Sequence, residues 1–138
     1  MPAIYKPGKK VRTYEIVREL NRGAFANSYE ARDLRGDKVF FKQYKSPTKL
    51  VEWYPGFVAH QQELKARIEK DPAARDRCYR FKDFFEDESS GFHQVFEFVE
   101  GGKDLSKVLQ ERDSFPEEQM AMFAKVMMFG MRALHAIK

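Results

Sequence analysis

A chain of 138 residues that is 43% hydrophobic, with 25 basic against 21 acidic residues, has the size and apolar content of one folded domain, which excludes a disordered chain. Its single cysteine, Cys78, excludes an internal disulfide and a zinc site built from several cysteines, and no stretch approaches the roughly 20 apolar residues of a membrane span. The net charge of +4 is mixed along the chain and fits a solvated surface, and Met1–Lys10 lacks an apolar signal core, so a reducing, cytoplasmic location is expected.

Residues 1–12 carry two Pro, one Gly and four Lys/Arg and read as a leader that stays loose unless it docks. Tyr14 to Leu20 alternates apolar and polar side chains, the pattern of a half-buried strand. Asn21-Arg22-Gly23-Ala24-Phe25-Ala26 is a turn signal, and Ser28 to Asp33 a second strand. Arg35-Gly36-Asp37 has hairpin-turn chemistry, and Lys38 to Tyr44 is rich in strand formers. The first 44 residues therefore predict a three-stranded antiparallel meander. Ser46-Pro47-Thr48-Lys49 reads as a loop, and Trp53-Tyr54-Pro55-Gly56 punctuates again. Phe57 to Lys70 places apolar residues at 57, 58, 64 and 68, one face of a helix that Asp71-Pro72 stops. Tyr79 to Phe85 alternates as a strand, Glu86 to Gly91 is an acidic turn, and Phe92 to Val99 is a fifth strand broken by Glu100-Gly101-Gly102. Asp104 to Glu111 fits a short helix. Ser114-Phe115-Pro116-Glu117 starts a long one that runs to the last residue, with Phe123, Val126, Met127, Gly130, Met131 and Leu134 on one face.

Several of these segments match the motifs of one family. Leu20 to Ala31 resembles the glycine-rich hairpin of protein kinases, Leu-Gly-x-Gly-x-Phe-Gly-x-Val-x-x-Ala. Leu20, Gly23, Phe25 and Ala31 match, Asn21 and Ala26 stand where the outer glycines belong, and Ser28 stands at the valine. Val39-Phe40-Phe41-Lys42 resembles the kinase third-strand motif Val-Ala-Ile-Lys, with Phe40 in place of alanine. Side chains two apart on a strand share a face, so Phe40 is expected to point where Lys42 points, into the roof of an adenine slot. Glu63 stands about where the family places the helix carboxylate that orients the lysine; Glu52 and Glu69 are competitors. His93 to Gly102 is similar to the fifth strand and hinge, Val-Met-Glu-Tyr-Val-x-Gly-Gly. Lys103, followed by Asp104, occupies the place of the family's ribose-binding acid.

The resemblance implies an α+β fold. A kinase-like N-lobe with a five-stranded antiparallel sheet and one main helix spans 13–99, after a flexible leader at 1–12. The hinge exit and first two helices of a C-lobe span 100–138. It implies a serine/threonine protein kinase that transfers the ATP γ-phosphoryl group to protein hydroxyls. Lys42 grips the phosphates and Glu63 orients Lys42. The loop around Gly23 and Phe25 covers the phosphates. Leu20 and Ser28 belong to the cofactor-binding set, Phe40 lies in the adenine roof with Phe96 as gatekeeper behind the adenine, and the backbone of Glu97 and Val99 holds the adenine edge. The 138 residues contain no His-Arg-Asp and no Asp-Phe-Gly. The resemblance therefore places the Mg2+ ligands and catalytic base beyond Lys138, and these residues alone are expected to be inactive. The alternative is a pseudokinase or scaffold that binds a protein partner. His60, His93 and His135 have no metal-ligand spacing, and strand alternation explains Tyr79-Arg80-Phe81-Lys82 better than a nucleic-acid surface. The methionine-rich face of the last helix would find a partner if left uncovered, with a homodimer as one form of it.

Overall fold

The computed structural model describes residues 3–45, 52–78, 80–87, 91–112 and 114–137. The loop expected at 46–49, the strand start at Tyr79, the tip of the acidic turn at 88–90 and the final residue lie outside them. The class is α+β, and the chain divides into two compact units, Met1–Lys65 with Tyr79–Phe98 and Ala66–Cys78 with Val99–Lys138.

The first unit is built on an antiparallel sheet of β1 (Lys10–Val11), β2 (Tyr14–Arg22), β3 (Ala26–Arg32), β4 (Lys38–Tyr44), β5 (Phe81–Asp87) and β6 (Gly91–Glu97), in the order β1-β2-β3-β4-β6-β5. The expected three-stranded meander is β2-β3-β4. The added strand, β1, comes from the leader. β4 shows why these segments are strands: Val39, Phe41 and Gln43 are buried while Lys38, Phe40, Lys42 and Tyr44 are half-buried, a strict period of two. Cross-strand register extends both faces. Tyr29, Phe41 and Val95 align on one, and Ser28, Lys42 and Gln94 on the other.

The leader takes the docked alternative. Tyr5 is buried, its N–H donates to the Tyr29 hydroxyl (3.2 Å), and its own hydroxyl bonds His93 Nε2 (2.9 Å). Gln43 Nε2 donates to the Ala3 carbonyl (3.1 Å). Tyr5, Tyr14, Ile16, Tyr29, Phe41, Phe85 and Val95 form the core on this face. Ring pairs such as Tyr14–Phe85, stacked at 6.0 Å, each contribute about 0.5–1.5 kcal/mol beyond the area they bury.

Helix α1 (Tyr54–Lys70) begins three residues before the expected Phe57. Pro55 falls in its first turn, where a missing N–H costs nothing, so the Tyr54-Pro55-Gly56 signal opens the helix instead of preceding it. Phe57 seats α1 on the sheet against Tyr44 (6.1 Å between ring centroids) and Phe92 (5.4 Å).

In the second unit, Asp71-Pro72 ends α1 as expected and also starts α2 (Pro72–Arg77), with the Asp71 carboxylate capping the Ala74 N–H at 2.7 Å. α3 (Leu105–Gln110) is capped by Asp104. α4 (Glu117–Ala136) packs Phe129 and Ala133 toward α2, and the Arg77 guanidinium lies 5.9 Å from the Phe129 ring. Arg67 donates to the carbonyl of Ile137 at the C-terminal end of α4 (3.0 Å). Phe123, Val126, Met127 and Met131, on the face read from the sequence, are exposed.

Candidate functional site

Lys42 lies in the middle of β4 with β3 on one side and β6 on the other. Ser28 and Gln94 are its direct cross-strand neighbours. Its ammonium sits 5.3 Å from the Tyr44 ring centroid. Burial pushes its pKa below the ordinary lysine value, and among the described residues no carboxylate offsets that shift. Half-burial makes an ammonium costly to keep charged unless an anion or hydrogen-bond acceptors meet it.

Helix α1 approaches this face through Gln61. The Gln94 side chain donates to Gln61 Oε1 (2.8 Å) and accepts from the Tyr44 hydroxyl (2.7 Å). Glu63 is on the same helix two residues further on, about 200° around its axis from Gln61, and is exposed. The helix side chain bonded to the strand beside Lys42 is thus an amide. Gln61 and Gln94 escaped sequence reasoning because neither carries charge; the usable signal was the spacing Phe57, Gln61, Leu64, Ile68, which follows the buried face of α1.

The hairpin between β2 and β3 turns at Gly23-Ala24-Phe25. Gly23 N–H donates to the Ala26 carbonyl (2.9 Å), and a Cβ on Gly23 would come within 3.1 Å of that oxygen, a tight approach that glycine avoids. Phe25 at the tip is 80% exposed. Asn21 pairs with Ser28, so both remain within the ladder. Leu20 is half-buried on β2.

Phe40 occupies the same face as Lys42, as alternation requires. Its ring is 6.2 Å from Phe96, which in turn packs 4.6 Å from Phe81. Beside this aromatic group Glu30, almost fully buried, is held by Arg18 (2.8 Å) and approached by Lys38 (4.0 Å). Glu97 ends β6; its N–H donates to the Arg80 carbonyl (3.1 Å) and its carboxylate lies 3.8 Å from the Arg80 guanidinium. Val99 belongs to the second unit, is half exposed, and accepts from the Gly102 N–H (3.1 Å). The first unit therefore brings together Ser28, Phe40, Lys42 and Phe96 on one face, with Gly23 and Phe25 at the hairpin tip.

Cavities lie elsewhere as well. One of about 410 Å³ is lined by the leader cations Lys6, Lys9, Lys10 and Arg12 with Asp87. Another, about 310 Å³, lies in the second unit and is lined by Asp71, Arg77, Phe129 and Arg132. Among the described residues, no group of three or more His, Cys, Asp or Glu could hold a metal ion, and no helix is long and apolar enough to cross a membrane. No protein-family model matches the chain, and no curated protein matches it.

Proposed function

We propose that this chain is the nucleotide-binding part of a protein kinase, of the serine/threonine class, and that the face of β4 bearing Lys42 receives the phosphates of ATP. The observation that carries the reading is Lys42 itself. It is a half-buried cation, shifted by burial alone, on a strand flanked by a tight glycine hairpin on one side and the hinge-like strand on the other. A point charge in that setting attracts phosphate oxygens more strongly than one in bulk water. The crossover from β4 through α1 and β5 returns the chain to pair β6 with β4, so Phe96 and Glu97 lie directly beside Phe40 and Val39. In this reading Phe96 is the gatekeeper, and the backbone of Glu97 serves the adenine edge. Leu20 and Ser28 line the base, and Glu63 is the acid recruited toward Lys42 when nucleotide binds. These 138 residues carry no His-Arg-Asp and no Asp-Phe-Gly, and in this reading they bind nucleotide without transferring phosphate.

A second reading, a pseudokinase or partner-binding module, is favoured by two particular features. Phe40 packs on Phe96 where a small side chain would leave room for a base, and the Gly23 N–H is already committed to Ala26. One titration separates the two. Thermal stability is followed against Mg-ATP for the wild type and for Lys42→Ala. A saturable rise in melting temperature that Lys42→Ala abolishes is the expected result. A flat wild-type titration sinks the nucleotide reading and leaves the module.

A further inference from the structure

We propose that Lys45 is a positioning residue that latches the tip of the β2–β3 hairpin in the shape that covers the Lys42 face. The inference rests on the nucleotide reading for its functional half and on geometry alone for its structural half.

Three hydrogen bonds converge on the tip. Gly23 N–H donates to the Ala26 carbonyl (2.9 Å), closing the turn from within. Lys45 N–H donates to the Phe25 carbonyl (2.9 Å), extending the β3–β4 ladder one residue past the Ala26–Tyr44 pair. The Lys45 ammonium then reaches back to the Gly23 carbonyl at 2.7 Å. Both polar groups of Gly23 are thereby engaged, and one residue, Lys45, holds the hairpin at two points. The ammonium bond is charge-assisted and part-buried, the stronger class of hydrogen bond.

Strand alternation assigns Lys42 and Tyr44 to the site face and starts Lys45 from the opposite one. The latch therefore grips the hairpin without placing a second cation among the groups beside Lys42. It also offsets the exposed tip: Phe25 contributes no burial there, and a three-residue hairpin loop without packing would fray. A hairpin held in one shape loses less conformational freedom when a ligand orders it, so the latch should appear as affinity.

The test compares the wild type with Lys45→Met, which keeps the aliphatic stem, and Lys45→Arg, which keeps a cationic donor. Amide hydrogen exchange is read at Gly23 and Lys45, with Phe41 and Val95 as core controls, and Mg-ATP affinity is read on the same proteins. Losing a bond to a charged group should speed exchange at the tip by about tenfold or more in Lys45→Met and weaken nucleotide binding several-fold, while core exchange is unchanged. Lys45→Arg should restore both. Unchanged tip exchange in Lys45→Met overturns the latch. Faster tip exchange with unaltered affinity overturns the positioning role. If the wild type binds no nucleotide, the kinase reading fails and the positioning role with it, while the exchange comparison still decides the latch.

Discussion

Replacing His93 with glutamine should remove most of one acid-dependent loss of stability. His93 is fully buried on β6, bonded through Nε2 to the Tyr5 hydroxyl and packed between Phe41 (5.2 Å) and Phe85 (5.0 Å). Burial holds its pKa down at about 4, against an ordinary 6.5. Asp87 and the nearby Gly91 backbone pull the other way, and Arg12 adds to the depression. The folded protein therefore keeps His93 neutral where the unfolded chain protonates it. Stability from this group is fully present above pH 6.5 and is lost as the pH falls toward 4. Between pH 7.5 and pH 5 the loss amounts to about 2 kcal/mol, at roughly 1.4 kcal/mol per pH unit over the window where only the unfolded form is charged. Glutamine offers Tyr5 a polar partner and does not titrate. Urea unfolding at both pH values, followed by the circular dichroism of the sheet, should show the wild type losing about 2 kcal/mol more than His93→Gln. Every other titrating group is common to the two proteins, so parallel pH dependences would refute the reasoning.

Arg12 adopts φ +52 in the two-residue turn between β1 and β2, held by its stack on Phe85 (4.3 Å) and its bond to the Glu86 carbonyl (2.8 Å). Arg12→Ala should cost about 1–2 kcal/mol in urea unfolding, and Arg12→Gly should cost less because glycine relieves the left-handed backbone. Asp71→Ala should destabilise α2 by about 1 kcal/mol through loss of the Ala74 cap, read as faster amide exchange at Ala74 with β4 amides unchanged. Phe40→Ala should open the face beside Lys42. In the nucleotide reading Mg-ATP affinity rises by about threefold to tenfold in calorimetry, since a single aromatic obstruction is worth about 1 kcal/mol of packing.

Local alternation made the sheet readable. β4 carries a strict period of two in its own residues, the start of β2 carries it over Tyr14–Ile16, and Gly36 at φ +86 closes the turn its sequence suggested. The shared face of Phe40 and Lys42 follows from the same rule. What stayed hidden depends on distant partners. Tyr5 docks because Tyr29 and His93 meet it, a contact no window around residue 5 contains. α2 is only six residues long, and the Asp71-Pro72 pair that ends one helix serves equally to begin another. The rotation of α1 is set by Phe57 on Tyr44 and Phe92, and that is what brings Gln61 to the sheet. Charge drew attention to Glu63, whereas helix phase is a property of the packed pair.

Among the described residues, the seam where α1 meets the sheet in the first unit includes two side-chain amides, a phenol and aromatic rings. These groups carry no charge near neutral pH, so salt does not screen the contacts they make. An effector that shifts this helix against its strands would have to compete for amide partners or pry apart rings.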